Sequence, residues 1–396
     1  ASPILRTEFA CKKPVAFARA YVCGLGFYEL YLNGGKIGDA VIHPAISTYD
    51  KRALYTVHDI TPHITEGRNA VGIMLGSGWY FHHTKDTWRF HAAPWVDQCK
   101  ALAQIEITHT DGTVTKVVTN PSWKYSTGPI VFDGLRNGEI YDAREEKPGW
   151  TSPGYDDADW TPARIVHPPG GELHAQIMPP CRVLETIEPA SVKNIPSGAR
   201  VYDIGRNITG WARVTAQANE GTEIAMAYSE LLGEDGDIDQ SNLDLFCDTN
   251  QFQTDKFILK GDGEETFESR FTYHGFQYVR VTGVPDDAPV KIEGRLVHTD
   301  LERIGSFSCS NDLFMRIHDA VIVSTLENYH GMPTDCPHRE KNGWTGDAHS
   351  SAEQVRFNFD PSAAYTNWLD DVADSPRASG ALPGICPTSG WGFNTY

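Results

Sequence analysis

The sequence predicts a multidomain fold: two antiparallel β-sandwich domains followed by the beginning of an all-α domain. Three observations predict it. Short alternating segments, punctuated by Gly, Pro, Asn and Asp, run from residue 15 to about residue 300. No long helical period interrupts them, which argues for sandwiches and against a parallel α/β sheet. Past residue 306 the period changes and apolar residues recur at helical spacing. At about 100–200 residues per domain, a chain of 396 residues holds a few domains. We divide it into 1–188, 189–300 and 301–396.

The elements follow in order. The segment FYELYLNGGKIGD (27–39) reads as strand, Asn33-Gly34 turn, strand. ALAQIEITHTDGTVTKVV (101–118) is a hairpin on Asp111-Gly112. Ala103, Ile105 and Ile107 share one face of it, and Gln104 and Glu106 the other. EIAMAYSE and FQYVRVTG continue the strand pattern. A turn-rich, polar link with EPASVKNIPSGA marks a boundary near 185–198, and another lies near 298–306. Beyond it Leu313, Phe314, Ile317, Ala320, Val321 and Leu326 fall on one helical face, with Ser310 or Asn311 as N-cap. A second helix starts near Thr345, and AYTNWLDDVADS (364–375) reads as a third.

Composition excludes some functions. The net charge of −18 repels nucleic acid, and no basic run makes a local exception. No stretch approaches the ~18 apolar residues of a membrane span. The N-terminus shows no basic start followed by an apolar run, so no signal peptide is read, although a leader already removed leaves no trace. Eight scattered cysteines without a CxxC read as free thiols in a reducing compartment, and a cytoplasmic location is expected. Cys336 and His338 lack a second pair at ligand spacing, which disfavours structural zinc.

The chemistry concentrates in PTDCPHREKNGWTGDA (333–348), a proline-broken loop running into the second helix. Asp335, Glu340 and Asp347 supply three carboxylates close in sequence. Glycosidases need one carboxylic acid to protonate the leaving oxygen and a second carboxylate across the sugar. Trp344 offers an apolar face for a sugar ring, and Arg339 a cation to hold an Asp ionised. The bland alternative stands beside this: Arg339 with Asp335 as a structural ion pair, Trp344 as core, Asp347 at a helix N-terminus. Elsewhere, Asp156, Asp157 and Asp159 read as a turn rather than a calcium loop. Trp79, Trp88, Trp150 and Trp160 read as core, and His274 as a satisfied buried histidine.

The 333–348 segment closely resembles the signature of bacterial α-L-rhamnosidases of glycoside hydrolase family 78, D-C-P-x-R-(x)-E-x-x-G-W-x-G-D. FYELYLNGGKIGD, VGIMLGSGWY and NGEIYDAREEKPGW are similar to that family's first sandwich. VYDIGRNITGWARV and GEETFESRFTYHGFQYVRVTG are similar to its second, and LPGICPTSGWGFN to its helical domain. The resemblance implies that Glu340 is the general acid and that Asp335, Arg339, Trp344 and Asp347 line the rhamnose site. It places Trp391 on an aromatic wall of the same pocket. Lys341-Asn342 replaces the family's commoner Arg-Leu pair, and the spacing from Arg339 to the acid is the shorter of two variants.

The same resemblance implies an (α/α)6 catalytic barrel of twelve helices, of which residues 301–396 are the N-terminal part. Such a barrel needs on the order of 200 residues, whereas 92 follow from Gly305 onward. The implied activity is inverting hydrolysis of terminal non-reducing α-L-rhamnose from glycosides or oligosaccharides. The general base is then expected beyond Tyr396, from the remainder of the domain as a continuation or a second chain. Glu353, the one Glu after the motif, is expected on a solvated helix face instead. No cofactor and no metal are implied. The alternatives are a non-catalytic carbohydrate-binding protein and an (α/α)6 glycosidase of different sugar specificity.

Overall fold

The computed structural model describes residues 1–285 and 288–393. Two sheets face each other in the first part of the chain. One is six-stranded, in the order Thr161–Pro162, Lys124–Thr127, Pro3–Cys11, Gly67–Gly76, Phe27–Leu32, Gly35–Lys36. The other is five-stranded, in the order Val114–Val118, Lys100–His109, Val15–Leu25, Arg52–Asp59, Glu172–Ala175. Alternation decides which side chains meet between them. Leu30, Val71, Ile73 and Leu75 from one sheet pack with Ala18, Ala20, Val22, Ala103, Ile105 and Ile107 from the other. Both expected hairpins form, and Asn33 and Gly34 turn the first with positive φ of 51° and 91°.

The second β unit departs from the expected pair of sheets. It is one eleven-stranded sheet built on an 18-residue strand, Arg200–Gln217. Pairing with His274–Thr282 shifts register between Asp203 and Ile208. The first end of the long strand pairs Ser191–Asn194 and the last end Glu264–Phe267. A strand that bends and changes partners lets a single sheet enclose its own core, here Ile208, Trp211, Val214, Phe257, Phe276 and Val297.

The boundary expected near 188 is no clean cut in sheet membership. Ala40–Val41, the hairpin Ile130–Gly134/Gly138–Asp142, and Cys181–Ile187 all join the eleven-stranded sheet. Gly138–Asp142 does so by parallel pairing with Thr254–Ile258. A two-stranded ribbon, Lys85–Asp86 with Cys247–Asp248, ties a loop of the first unit to a loop of the second.

Three α-helices follow: α1 (Asp312–Glu327), α2 (Thr345–Asn358) and α3 (Ser362–Asp374). Asn311 caps α1, its side chain accepting the N–H groups of Leu313 and Phe314 at 3.0 and 3.4 Å. The apolar face expected to be α1's core face is not buried: Leu313, Phe314 and Ile317 are exposed, and the buried residues of the helix are Ile322 and Glu327. No helix among the described residues is long and apolar enough to cross a membrane, which leaves strands unaddressed.

Candidate active site

Residues 328–344 connect α1 to α2 and lie against the eleven-stranded sheet. Gly275 permits the approach, since a Cβ there would come within 2.8 Å of Pro337 Cγ. The neighbouring His274 is fully buried, with Nε2 3.0 Å from Asp255 Oδ1. On the other side Gly343 lies against residues 384–392. A Cβ at Gly343 would sit 2.1 Å from the Cys386 carbonyl oxygen. That closeness pairs Trp344 with Ile385 and brings the Trp344 and Trp391 rings to 5.9 Å, nearly perpendicular at 89°.

Glu340 sits at the end of this loop with its side chain 13% exposed. The Trp344 indole N–H donates to Glu340 Oε2 at 2.9 Å, which fixes the carboxyl's direction. Arg339 Nη2 is 3.8 Å from Glu340 Oε1, a single loose contact and no bidentate clamp. The Arg339 guanidinium lies over the Phe246 ring, 5.4 Å from its centre.

Asp335 closes its own loop. Its Oδ1 accepts the Asn342 N–H at 2.9 Å, Oδ2 accepts the Cys336 thiol at 3.0 Å, and its own N–H donates to the Asn342 carbonyl at 3.1 Å. Burial pushes the Asp335 carboxyl up to about 6, and the nearby Glu340 charge adds to the rise. The structural pair weighed for Arg339 with Asp335 does not form. Asp347 is exposed in the first turn of α2, and among the described residues no hydrogen bond or ion pair joins its side chain to Asp335, Arg339, Glu340, Trp344 or Trp391. Asp335, Arg339, Glu340, Trp344 and Trp391 thus come together, and Asp347 stands at their edge. Glu353 is exposed on α2, as expected.

Two cations underpin the loop: Arg136, which the sequence does not single out, and Lys341, noted there only as a departure from the family's commoner pair. Arg136, fully buried between two strands of the eleven-stranded sheet, donates through Nε and Nη2 to the Glu340 carbonyl at 2.9 and 2.8 Å. Its Nη2 also reaches Asn342 Oδ1 at 2.9 Å, and its Nη1 lies 3.2 Å from Asp86 Oδ2. Lys341, also fully buried, holds a left-handed φ of 58°. Its Nζ donates to the carbonyls of Leu135, at 2.8 Å, and Tyr273. Burial, reinforced by the Arg136 charge, drives its ammonium down to about 7.

Three family descriptions match the chain: the alpha-L-rhamnosidase N-terminal domain over 13–185, the bacterial alpha-L-rhamnosidase concanavalin-like domain over 193–298, and the bacterial alpha-L-rhamnosidase 6 hairpin glycosidase domain over 302–396. The chain belongs to the bacterial α-L-rhamnosidase family. A Formosa agariphila protein named Alpha-L-rhamnosidase is 38% identical across 94% of this chain, which covers 39% of that relative. A Streptomyces avermitilis protein of the same name is 34% identical across 98%, covering 37% of it. The structure of the α-L-rhamnosidase from Dictyoglomus thermophilum superposes with a TM-score of 0.92 at 41% identity, over 99% of this chain and 43% of that one. The Streptomyces avermitilis α-L-rhamnosidase, crystallised in complex with L-rhamnose, superposes with a TM-score of 0.92 at 34% identity, over 98% of this chain and 37% of that one. The chain therefore spans about two-fifths of the length of these family members.

Proposed function

We propose that this chain carries the acid half of a glycoside hydrolase that releases terminal non-reducing α-L-rhamnose from rhamnosides. Glu340 is the general acid and protonates the glycosidic oxygen as the bond breaks. The observation that carries this reading is the state of the Glu340 carboxyl: largely buried, directed by the Trp344 indole, and left with one loose cationic contact. It lies beside the perpendicular Trp344–Trp391 pair, which offers apolar ring surface to a sugar. Proteins named for this activity match almost the whole chain.

In this reading Asp335, Arg339, Asp347 and Trp391 hold the sugar hydroxyls and faces. The reaction inverts the anomeric centre. A second carboxylate, supplied by the remainder of an (α/α)6 domain as a continuation or second chain, directs water from the opposite face. Its separation from Glu340 is then roughly 6.5–9.5 Å, enough to admit that water.

The test is Glu340→Gln in the complete protein. The amide keeps the bond from Trp344 but has no proton to give. We expect kcat on an alkyl or sugar rhamnoside to fall by about 10²–10⁴-fold, the usual span of general acid catalysis. An aryl rhamnoside with a good leaving group should lose far less. Equal losses on both substrates would remove Glu340 from the role.

A further inference from the structure

We propose that Arg136, carried by the hairpin Ile130–Gly134/Gly138–Asp142 of the β scaffold, is a positioning residue that sets where the Glu340 carboxyl stands. This rests on the reading of Glu340 as the acid and adds what holds it.

The contact is unusually direct. Both Nε and Nη2 of one guanidinium converge on the Glu340 carbonyl itself, 204 positions away in the chain. The third arm of the latch runs the opposite way. Leu135, next to Arg136, offers its carbonyl to the ammonium of Lys341, next to Glu340. Two adjacent residues of a turn thus grip two adjacent residues of the loop, with donor and acceptor exchanged. A loop held through the Glu340 carbonyl and through the neighbouring Lys341 side chain is pinned at two points, so the Cα of Glu340 is placed relative to the sheet. The Trp344 indole then sets the side chain's direction from that fixed root.

Arg136 is itself immobilised. Its guanidinium lies 4.8 Å from the centre of the Trp88 ring and 5.3 Å from that of Trp79. Asp86 balances its charge, and Asp86 belongs to the ribbon that joins the two β units. The left-handed φ at Lys341 fits the same picture, because a strained non-glycine residue persists only where its surroundings over-determine it.

The experiment measures kcat and KM of the complete enzyme carrying Arg136→Lys or Arg136→Met, on the same poor- and good-leaving-group rhamnosides as Glu340→Gln. A lysine keeps the charge beside Asp86 but replaces a planar fork by a single point of donation. A displacement of about 1 Å at a reacting group costs about 100-fold. We therefore expect Arg136→Lys to lower kcat on the poor leaving group by about 10- to 100-fold. KM should move less than about twofold, and the good leaving group should lose less than about threefold. Arg136→Met should lose at least as much on the poor leaving group, and if it is not recovered folded, Arg136→Lys alone decides. Unchanged kcat, or equal loss on both substrates, overturns the inference. Glu340→Gln separates the two claims. If it shows the leaving-group dependence and Arg136→Lys does not, the acid stands and the strut falls. If Glu340→Gln shows none, the acid assignment itself falls.

Discussion

At the scale of single residues, the loop stores its cost in buried charge. The Asp335 carboxyl closes a turn with one lone pair on each oxygen, and burial lifts it from an ordinary 3.8 to about 6. Between those values the folded chain binds more proton than the unfolded chain. Stability from this group is therefore present at low pH, falls as pH rises through that window, and is lost above it. Asp335→Asn keeps an oxygen for the Asn342 N–H and removes the charge. We expect its melting temperature to match the parent's near pH 4 and to exceed it by pH 7, a gain of at most about 3 kcal/mol. Activity should fall in the same variant, the usual trade at a functional site. A difference in melting temperature that stays flat across that range would refute the assignment. The cluster from Asp335 to Trp344 is legible in the sequence because it is contiguous. Arg136 is not, because an arginine in FDGLRNGE looks like any turn residue until the fold brings it to Glu340.

At the scale of elements, α3 is tied to the first sandwich by one arginine. Arg52, on a strand of the five-stranded sheet, meets Asp371 at 2.7 Å, Asp374 at 2.6 Å and Asp370 at 3.2 Å. Asp371 is fully enclosed and also accepts the Thr48 N–H at 3.2 Å. Burial raises the Asp371 carboxyl, while Arg52 pulls against that rise. Removing the arginine leaves a buried carboxylate without its cation, a loss of about 3–5 kcal/mol. Arg52→Met should therefore destabilise strongly in urea unfolding. Arg52→Met with Asp371→Asn should recover part of the loss, and additive effects of the two substitutions would rule the clamp out. The sequence announces α3 by its period but not this docking. Acidic pairs such as that in TNWLDD read on a helix as a solvated face, and here the acidic residues of LDDVAD face a strand more than 300 positions earlier. The eleven-stranded sheet is hidden for a similar reason: alternation marks each strand, while the bend in Arg200–Gln217 and the strands borrowed from residues 130–142 depend on long-range pairing.

At the scale of the whole molecule, the helical part presents an apolar face that nothing among the described residues covers. Leu313, Phe314 and Ile317 occupy one side of α1, where periodicity predicts a core. Phe307 packs beside His318 of the same helix, and His318 bonds Asn358 at the end of α2, next to the 71% exposed Phe357. Between α2 and α3 a cleft of about 540 Å³ is lined by Ala348, Phe359 and Trp368 together with the polar His349, Arg356 and Asp360. Large apolar side chains left exposed on α1 associate when they find a partner. The matching family domain has six hairpins, whereas the described residues supply three α-helices. We propose that the face predicted by α1's period packs against a partner outside the described residues. We expect the 396-residue chain alone to self-associate with rising concentration in sedimentation velocity and to bind a hydrophobic dye. Leu313→Glu with Ile317→Glu should suppress both without lowering the melting temperature, because neither side chain is buried here. In the complete protein the same pair should destabilise, because two charges would then enter a packed interface at several kcal/mol. A chain that stays monomeric and dye-free at high concentration, or a pair tolerated in the complete protein, would show that α1 faces solvent in its working form.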